Sequence, residues 1–239
     1  MTQPIYTGTW GNCHIQGIAV DKKNGYIYYS FTTKLVKATL DGEIVGSVDG
    51  LIGHLGCIAF CEADGRVYGS LEYKNDSIGR GIQSTIKDAT VFDDGFYIAR
   101  FDVDKIDRIG MDAEKDGVMS AVWLADPVRD YMETDEVSGC AHRYGCSGID
   151  GTAYGPVFGA GKDGEKKIMV AYGIYGENER TDNDNQIILQ YSPDVFEKYG
   201  ADSFAGRCAS VIAGSSDTLL YIILCQKLCQ IAENRTVFD

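Results

Sequence analysis

Prolines number only four, histidines three and tryptophans two in 239 residues, and no apolar stretch is long. The longest such run, 219–225, falls far short of the roughly 20 residues that cross a bilayer. The first ten residues, MTQPIYTGTW, lack the basic segment and apolar core of a secretory leader. A cytoplasmic protein is expected from the chain as given, or an exported one whose leader has been removed. Basic residues are scarce as well. With 22 Lys and Arg against 35 Asp and Glu the formal charge is −13, so nucleic acid and anionic membrane surfaces are repelled at long range and are not expected as partners. The eight cysteines form no Cys-x-x-Cys pair, which excludes a zinc ribbon, and their spacing sets out no disulfide framework. Cys57 and Cys61, four apart in a strand-like stretch, fall on one strand face and read as buried free thiols before they read as a vicinal pair. No Gly-x-Ser-x-Gly elbow occurs, and the glycine-rich residues 78–82 do not join a strand to a helix, so a phosphate loop is excluded.

Glycine and tyrosine are plentiful, at 29 and 15 residues. That pair fits short strands and tight turns, because glycine costs about 1 kcal/mol in a helix interior and tyrosine favours strands. The clearest organisation is a repeat. HIQGIAVDKKNGYIYYSF at 14–31 and HLGCIAFCEADGRVYGSL at 54–71 share His14 and His54, Ala19 and Ala59, Gly25 and Gly65, Tyr28 and Tyr68, and Ser30 and Ser70. A period near 40 in strand-like sequence points to a β-propeller blade.

The first unit predicts four strands at 16–20, 26–31, 34–39 and 43–48, with turn signals at Lys23-Asn24-Gly25 and Asp41-Gly42 in the style of two-residue hairpins. The second opens with strands at 57–61 and 66–71. A polar, glycine-rich insertion follows at 72–95, either a binding loop or a solvated excursion, and strands resume at 96–103 and 118–124. After an acidic, strand-poor stretch at 126–145, a third unit is expected at 146–156, 167–175 and 186–191. Beyond 202 the pattern changes: Leu219, Ile222, Ile223 and Leu228 are spaced as in a helix. The expectation is an all-β fold of three to four four-stranded blades over 1–202, and an atypical, non-repeat tail with helical spacing over 203–239.

At 14–31, 54–73 and 146–156 the chain resembles bacterial β-propeller repeat proteins of the six- to seven-bladed kind, with fewer blades and an incomplete C-terminal part. Some of these proteins are carbohydrate-active, including polysaccharide lyases whose channel holds histidines and sometimes a metal. The resemblance implies a ligand site at the mouth of a central channel.

The residues themselves offer candidates there. His14, His54 and His142 each precede an expected innermost strand, His14 and His54 four residues before Ile18 and Ile58, and His142 seven before Ile149. Converging, the three imidazoles would hold a divalent metal such as Zn or Mn; the competing reading makes His14 and His54 a repeated structural device. His142, Arg143 and Tyr144 combine an anion-binding guanidinium with two proton-transfer groups, suited to lyase chemistry on an acidic sugar, or are an ordinary surface triplet. Trp10, Asn12 and Gln16 set an aromatic ring beside amides, as sugar binding requires. Asp182 and Asp184 could ligate Ca but lack the glycine and closing glutamate of an EF-hand, and a hairpin turn fits them better. Two functions follow: a propeller binding a small polar ligand, carbohydrate first, with lyase-type activity as its catalytic form, or a non-enzymatic scaffold for protein partners. Substrate, oligomeric state and compartment are not fixed by the sequence.

Overall fold

The structure is a computed structural model that describes residues 4–11, 13–75, 77–84, 95–124, 148–157, 159–173, 187–191 and 210–213. Within them the chain is almost wholly β. The first sheet is an antiparallel meander of β1 (Ile15–Asp21), β2 (Tyr26–Phe31), β3 (Lys34–Thr39) and β4 (Ile44–Asp49). The second contains β5 (His54–Cys61), β6 (Arg66–Tyr73), β7 (Gly95–Phe101) and, after an intervening segment, β9 (Met119–Trp123). The third runs β10 (Gly148–Pro156), β11 (Lys166–Gly173), β12 (Ile187–Tyr191) and β13 (Ser210–Ala213). β5 packs against β1 on one side and β10 on the other, so the three meanders follow one another with their first strands adjacent.

Turn chemistry explains the first hairpins. Asp21 is buried because its carboxylate accepts the backbone N–H groups of Lys23 and Asn24 at 3.0 and 3.1 Å, closing the loop after β1. Gly25 and Gly65 finish the two corresponding loops at φ +79° and +71°, a backbone conformation glycine adopts without strain. The loops at the two expected two-residue hairpins, 22–25 and 40–43, have four residues, as has 62–65; Thr32-Thr33, between β2 and β3, is a two-residue connection.

All three first strands carry a bulge near their start, after Ile15, Leu55 and Ile149. Aligned on that bulge, Gly17-Ile18-Ala19-Val20 corresponds to Cys57-Ile58-Ala59-Phe60 and to Gly151-Thr152-Ala153-Tyr154. The third copy is therefore displaced by three residues from the sequence expectation: Ile149 stands where Ile15 and Leu55 stand, not where Ile18 and Ile58 do.

The main core lies between the first two sheets. Ala19, Tyr28 and Leu35 of the first meet Ile58, Val67 and Phe101 of the second, and Tyr28 stacks on Phe60 with ring centroids 6.1 Å apart. Each large apolar side chain removed from water here contributes about 1.5–3 kcal/mol. β1 and β5 approach closely because Gly17 has no side chain: a Cβ there would stand 2.8 Å from the Ile58 nitrogen and 2.9 Å from the Cys57 Cα. Ser30 locks the same junction, donating to the Gly56 carbonyl at 2.7 Å. Gly17→Val is accordingly expected to destabilise by about 1–3 kcal/mol in urea unfolding, since backbone rather than a flexible side chain must yield. A change below about 0.5 kcal/mol would refute that account.

Two features are not those expected. The polar insertion contains a helix, α1 (Ser77–Ser84). The segment between β7 and β9 returns to the first sheet as a strap: after a 3-10 turn, Val103–Lys105, its two-residue strand β8 (Met111–Asp112) pairs in parallel with β4. Val103, Ile106, Met111 and Val118 are buried in the main core. The strap covers the outer edge of the first sheet, whose backbone groups would otherwise be open to pairing. At the other end of the chain, β13 completes the third sheet from beyond residue 202, where the sequence pattern places the end of the repeats. The helix-spaced leucines and isoleucines of 219–228, and Asp182 and Asp184, lie outside the described residues.

Candidate functional site at the inner-strand starts

His14 immediately precedes β1 and His54 opens β5, equivalent places in adjacent first strands. The Thr32-Thr33 turn fixes both to one end of the sheets. Phe31 pairs with Ile15, and the Leu55 N–H donates to the Thr32 carbonyl at 2.8 Å. The Cys57 thiol adds a link across the junction, donating to the Gln16 carbonyl at 3.7 Å.

The two histidines have different partners. The Gln16 amide Nε2 lies 3.1 Å from His14 Nε2 and, having only protons to offer, donates to it. His14 Nε2 is thereby engaged within the strand start, beside Gln16. His54 faces Glu72, its direct cross-strand partner, with Nδ1 3.6 Å from Oε1. Glu72 is the better buried of this pair, at 11% side-chain exposure against 24% for His54. The end of the sheets therefore holds an imidazole–amide pair and an imidazole–carboxylate pair, a set of donors and acceptors suited to vicinal hydroxyls.

The third place of this series is Gly148, by the bulge alignment, and His142 is six residues upstream of it. His142, Arg143, Tyr144 and Asn12 lie outside the described residues. Among the described residues no group of three His, Cys, Asp or Glu side chains is placed to hold a metal ion. Trp10 is turned to packing: its indole N–H donates to the Thr7 carbonyl at 2.6 Å and its ring lies 6.2 Å from that of Phe31. It anchors the N-terminal arm against Tyr29, Phe31, Val36 and Ala38, a second, smaller core on the far face of the first sheet.

Glu72 is the residue the sequence pattern passes over, because 72–95 reads as one polar insertion. Strand β6 continues to Tyr73, and the repeat offers no hint, since Thr32 occupies the matching place after Phe31 in the first sheet. Of the two thiols expected to be buried, Cys61 is and Cys57 is exposed, at the bulge that follows Leu55. Burial raises the Cys61 thiol to about 11, which makes it a packing group rather than a nucleophile at neutral pH. Beside it, Tyr154 is raised to about 12, first by burial and then by the Cys61 sulfur. Lys166 reaches across the same junction to Glu62 at 3.0 Å.

No protein-family model matches the sequence, and no curated protein does. Among solved structures the chain is similar to one titled "Structure of Dos1 propeller", with a TM-score of 0.37 and 12% identity over 75% of this chain and 33% of that one. The chain thus spans about a third of that structure's length. The all-β assignment rests on the three meanders themselves and on their succession through adjacent first strands.

Proposed function

We propose that the three meanders are blades of a β-propeller and that the channel mouth at the starts of β1 and β5 binds a small polar ligand, a carbohydrate being the class that fits best. One observation carries this reading: two adjacent inner strands begin with histidines at equivalent places, each backed by a second polar side chain, Gln16 or Glu72. Sugar hydroxyls both donate and accept, and paired imidazole, amide and carboxylate groups answer both roles. Lyase-type activity on an acidic sugar belongs to the same reading. His142, Arg143 and Tyr144 would supply the proton transfers and the anion-binding charge, and a divalent metal would draw on His14, His54 and His142.

Neutral and uronic-acid oligosaccharides should raise the thermal midpoint of the protein, since a ligand at 100 times its Kd stabilises by about 2.7 kcal/mol. His54→Ala and His14→Ala should each reduce affinity about tenfold or more; the unliganded midpoint should stay nearly unchanged for His14, whose ring is exposed, and fall modestly for His54, which is half-buried beside Glu72. If no oligosaccharide at ~10 mM moves the midpoint, where even a millimolar Kd gives a response, the carbohydrate reading fails and the scaffold for protein partners takes its place.

A further inference from the structure

Among the described residues, the first strands at the two ends of the row of sheets carry exposed faces, and these are the two halves of a contact the chain already makes between its own sheets. In the second and third sheets, the face turned toward the preceding sheet is covered. Ile58 is 5% exposed and Thr152 7%. Their counterpart in the first sheet, Ile18, is 54% exposed, and beside it Val20, the counterpart of the stacked Phe60, is 38% exposed. The opposite face behaves in the complementary way. Ala19 and Tyr28 of the first sheet are buried beneath the second, yet Ala153 and Met169, which hold those places in the third, are exposed and half-buried.

The outer part of the first sheet's open face is already filled, so there the inner strand alone is missing a partner. Between the first and second sheets the outer wedge is occupied by the strap, through Val103 and Ile106. On the open face of the first sheet the N-terminal arm takes the corresponding place, with Trp10 and Cys13 against the smaller core. Among the described residues, what remains exposed is Ile18 and Val20 of β1 at one end and Ala153 of β10 at the other, on the strands by which β1 packs on β5 and β5 on β10.

We infer that two copies of this chain associate head to tail, the Ala153–Met169 face of one docking on the Ile18–Val20 face of the other, so that six four-stranded units close into one ring. The occupant is a second copy because the surface complementary to the Ile18 face is a face of this chain's own repeat, and that face carries the exposed Ala153. Each copy offers one donor face and one acceptor face, so a single two-fold rotation satisfies all four and leaves none to propagate a filament. Six sheets lie within the four to eight around which propellers close. The inference is independent of what the channel mouth binds.

Sedimentation equilibrium and light scattering at ~50 μM, well above the Kd of a standard-sized interface, should give twice the 26.1 kDa chain mass. Ile18→Asp and Ala153→Asp, both at exposed positions and checked for unchanged circular dichroism, should each run as a monomer. Mixing the two variants should restore dimer at least tenfold more weakly than wild type, because one of the two junctions is intact. Since each copy carries −13, raising the salt from ~0.1 to ~1 M, which shortens the Debye length from about 10 to 3 Å, should tighten the dimer. A wild-type monomer, an open series of larger species, a dimer that survives either substitution, or one that salt loosens would each overturn the inference. Survival of the Ala153→Asp dimer would point to a symmetric Ile18-to-Ile18 contact instead.

Discussion

Replacing Tyr68 with alanine is expected to lower the free energy of unfolding by about 3–5 kcal/mol, a large share of the 5–15 kcal/mol typical of a domain. The ring is wholly buried in β6, and its hydroxyl donates to Asp64 Oδ2 at 2.6 Å, in the loop where Oδ1 accepts the Arg66 N–H at 3.1 Å. Alanine removes both the packing and a donor to a carboxylate. Phenylalanine removes only the donor and should cost about 1 kcal/mol. Urea unfolding separates the two, and an alanine variant within 1 kcal/mol of wild type would refute the role assigned to the ring. The hydroxyl also sets a pH dependence. Burial foremost, then the hydrogen bond to Asp64 and its charge, raises the folded-state pKa of Tyr68 above its ordinary value of 10.0. Burial foremost, then the charge of Asp21, does the same to Tyr28. In each case the native state keeps a proton that the unfolded chain releases. The stabilising contribution is therefore fully present below pH 10 and is lost as pH rises above it. Wild-type stability should fall steeply above pH 10, and Tyr68→Phe should remove about 1.4 kcal/mol per pH unit from that slope. An unchanged slope would mean that the phenol titrates normally in the folded protein.

The pair Tyr28 and Tyr68 also shows why the first two units are legible in the sequence. They occupy the same buried place 40 residues apart, and Ala19 and Ala59, buried and half-buried, are their cross-strand partners in β1 and β5, so the repeat is written in the side chains that face the neighbouring sheet. The third unit is blurred because its substitutions fall on those positions: Thr152 stands for isoleucine and Met169 for tyrosine. Without them Ile149 offers a false register, and it draws His142 into a series whose third place belongs to Gly148. The strap leaves no trace at all. A two-residue strand such as Met111–Asp112 has no periodicity, and its pairing with β4 joins residues some 63 positions apart in sequence, as in Val48 with Met111. The candidate site was half legible. His14 and Gln16 stand together in the sequence, whereas Glu72 meets His54 only through the register of two strands.

Lys37 is the sharpest instance of a residue whose role depends on that strap. It is a lysine in β3 and yet only 5% exposed, and its ammonium donates to the carbonyls of Val103 at 2.8 Å and Ile106 at 3.2 Å. It also lies 4.4 Å from the centre of the Tyr26 ring. Lys37→Ala is expected to destabilise by about 2–4 kcal/mol, because two carbonyls lose their donor and the stem leaves a void. The strap should loosen first. Amide exchange is expected to quicken at Ser47, which donates to the Arg108 carbonyl at 3.0 Å, and at Gly110, which donates to Ser47 Oγ at 2.9 Å, while Gly25 and Gly65 in the hairpin loops keep their protection. Burial foremost lowers the folded-state pKa of Lys37, with Asp104, Asp107 and Asp21 opposing it. The unfolded chain therefore holds the proton to higher pH, and the cost of burying the charge is relieved as pH climbs toward 10.5, the ordinary lysine value. Removing Lys37 removes that relief, so the variant should lose stability more steeply than wild type between neutral pH and 10.5, a trend opposite to that of Tyr68→Phe. Lys37→Met keeps the stem against Tyr26 and should recover only the packing part of the loss, about 1–2 kcal/mol. If the methionine variant matches wild type in both stability and exchange at Ser47, the carbonyl bonds hold nothing and the strap is kept in place by Val103, Ile106 and Met111 alone.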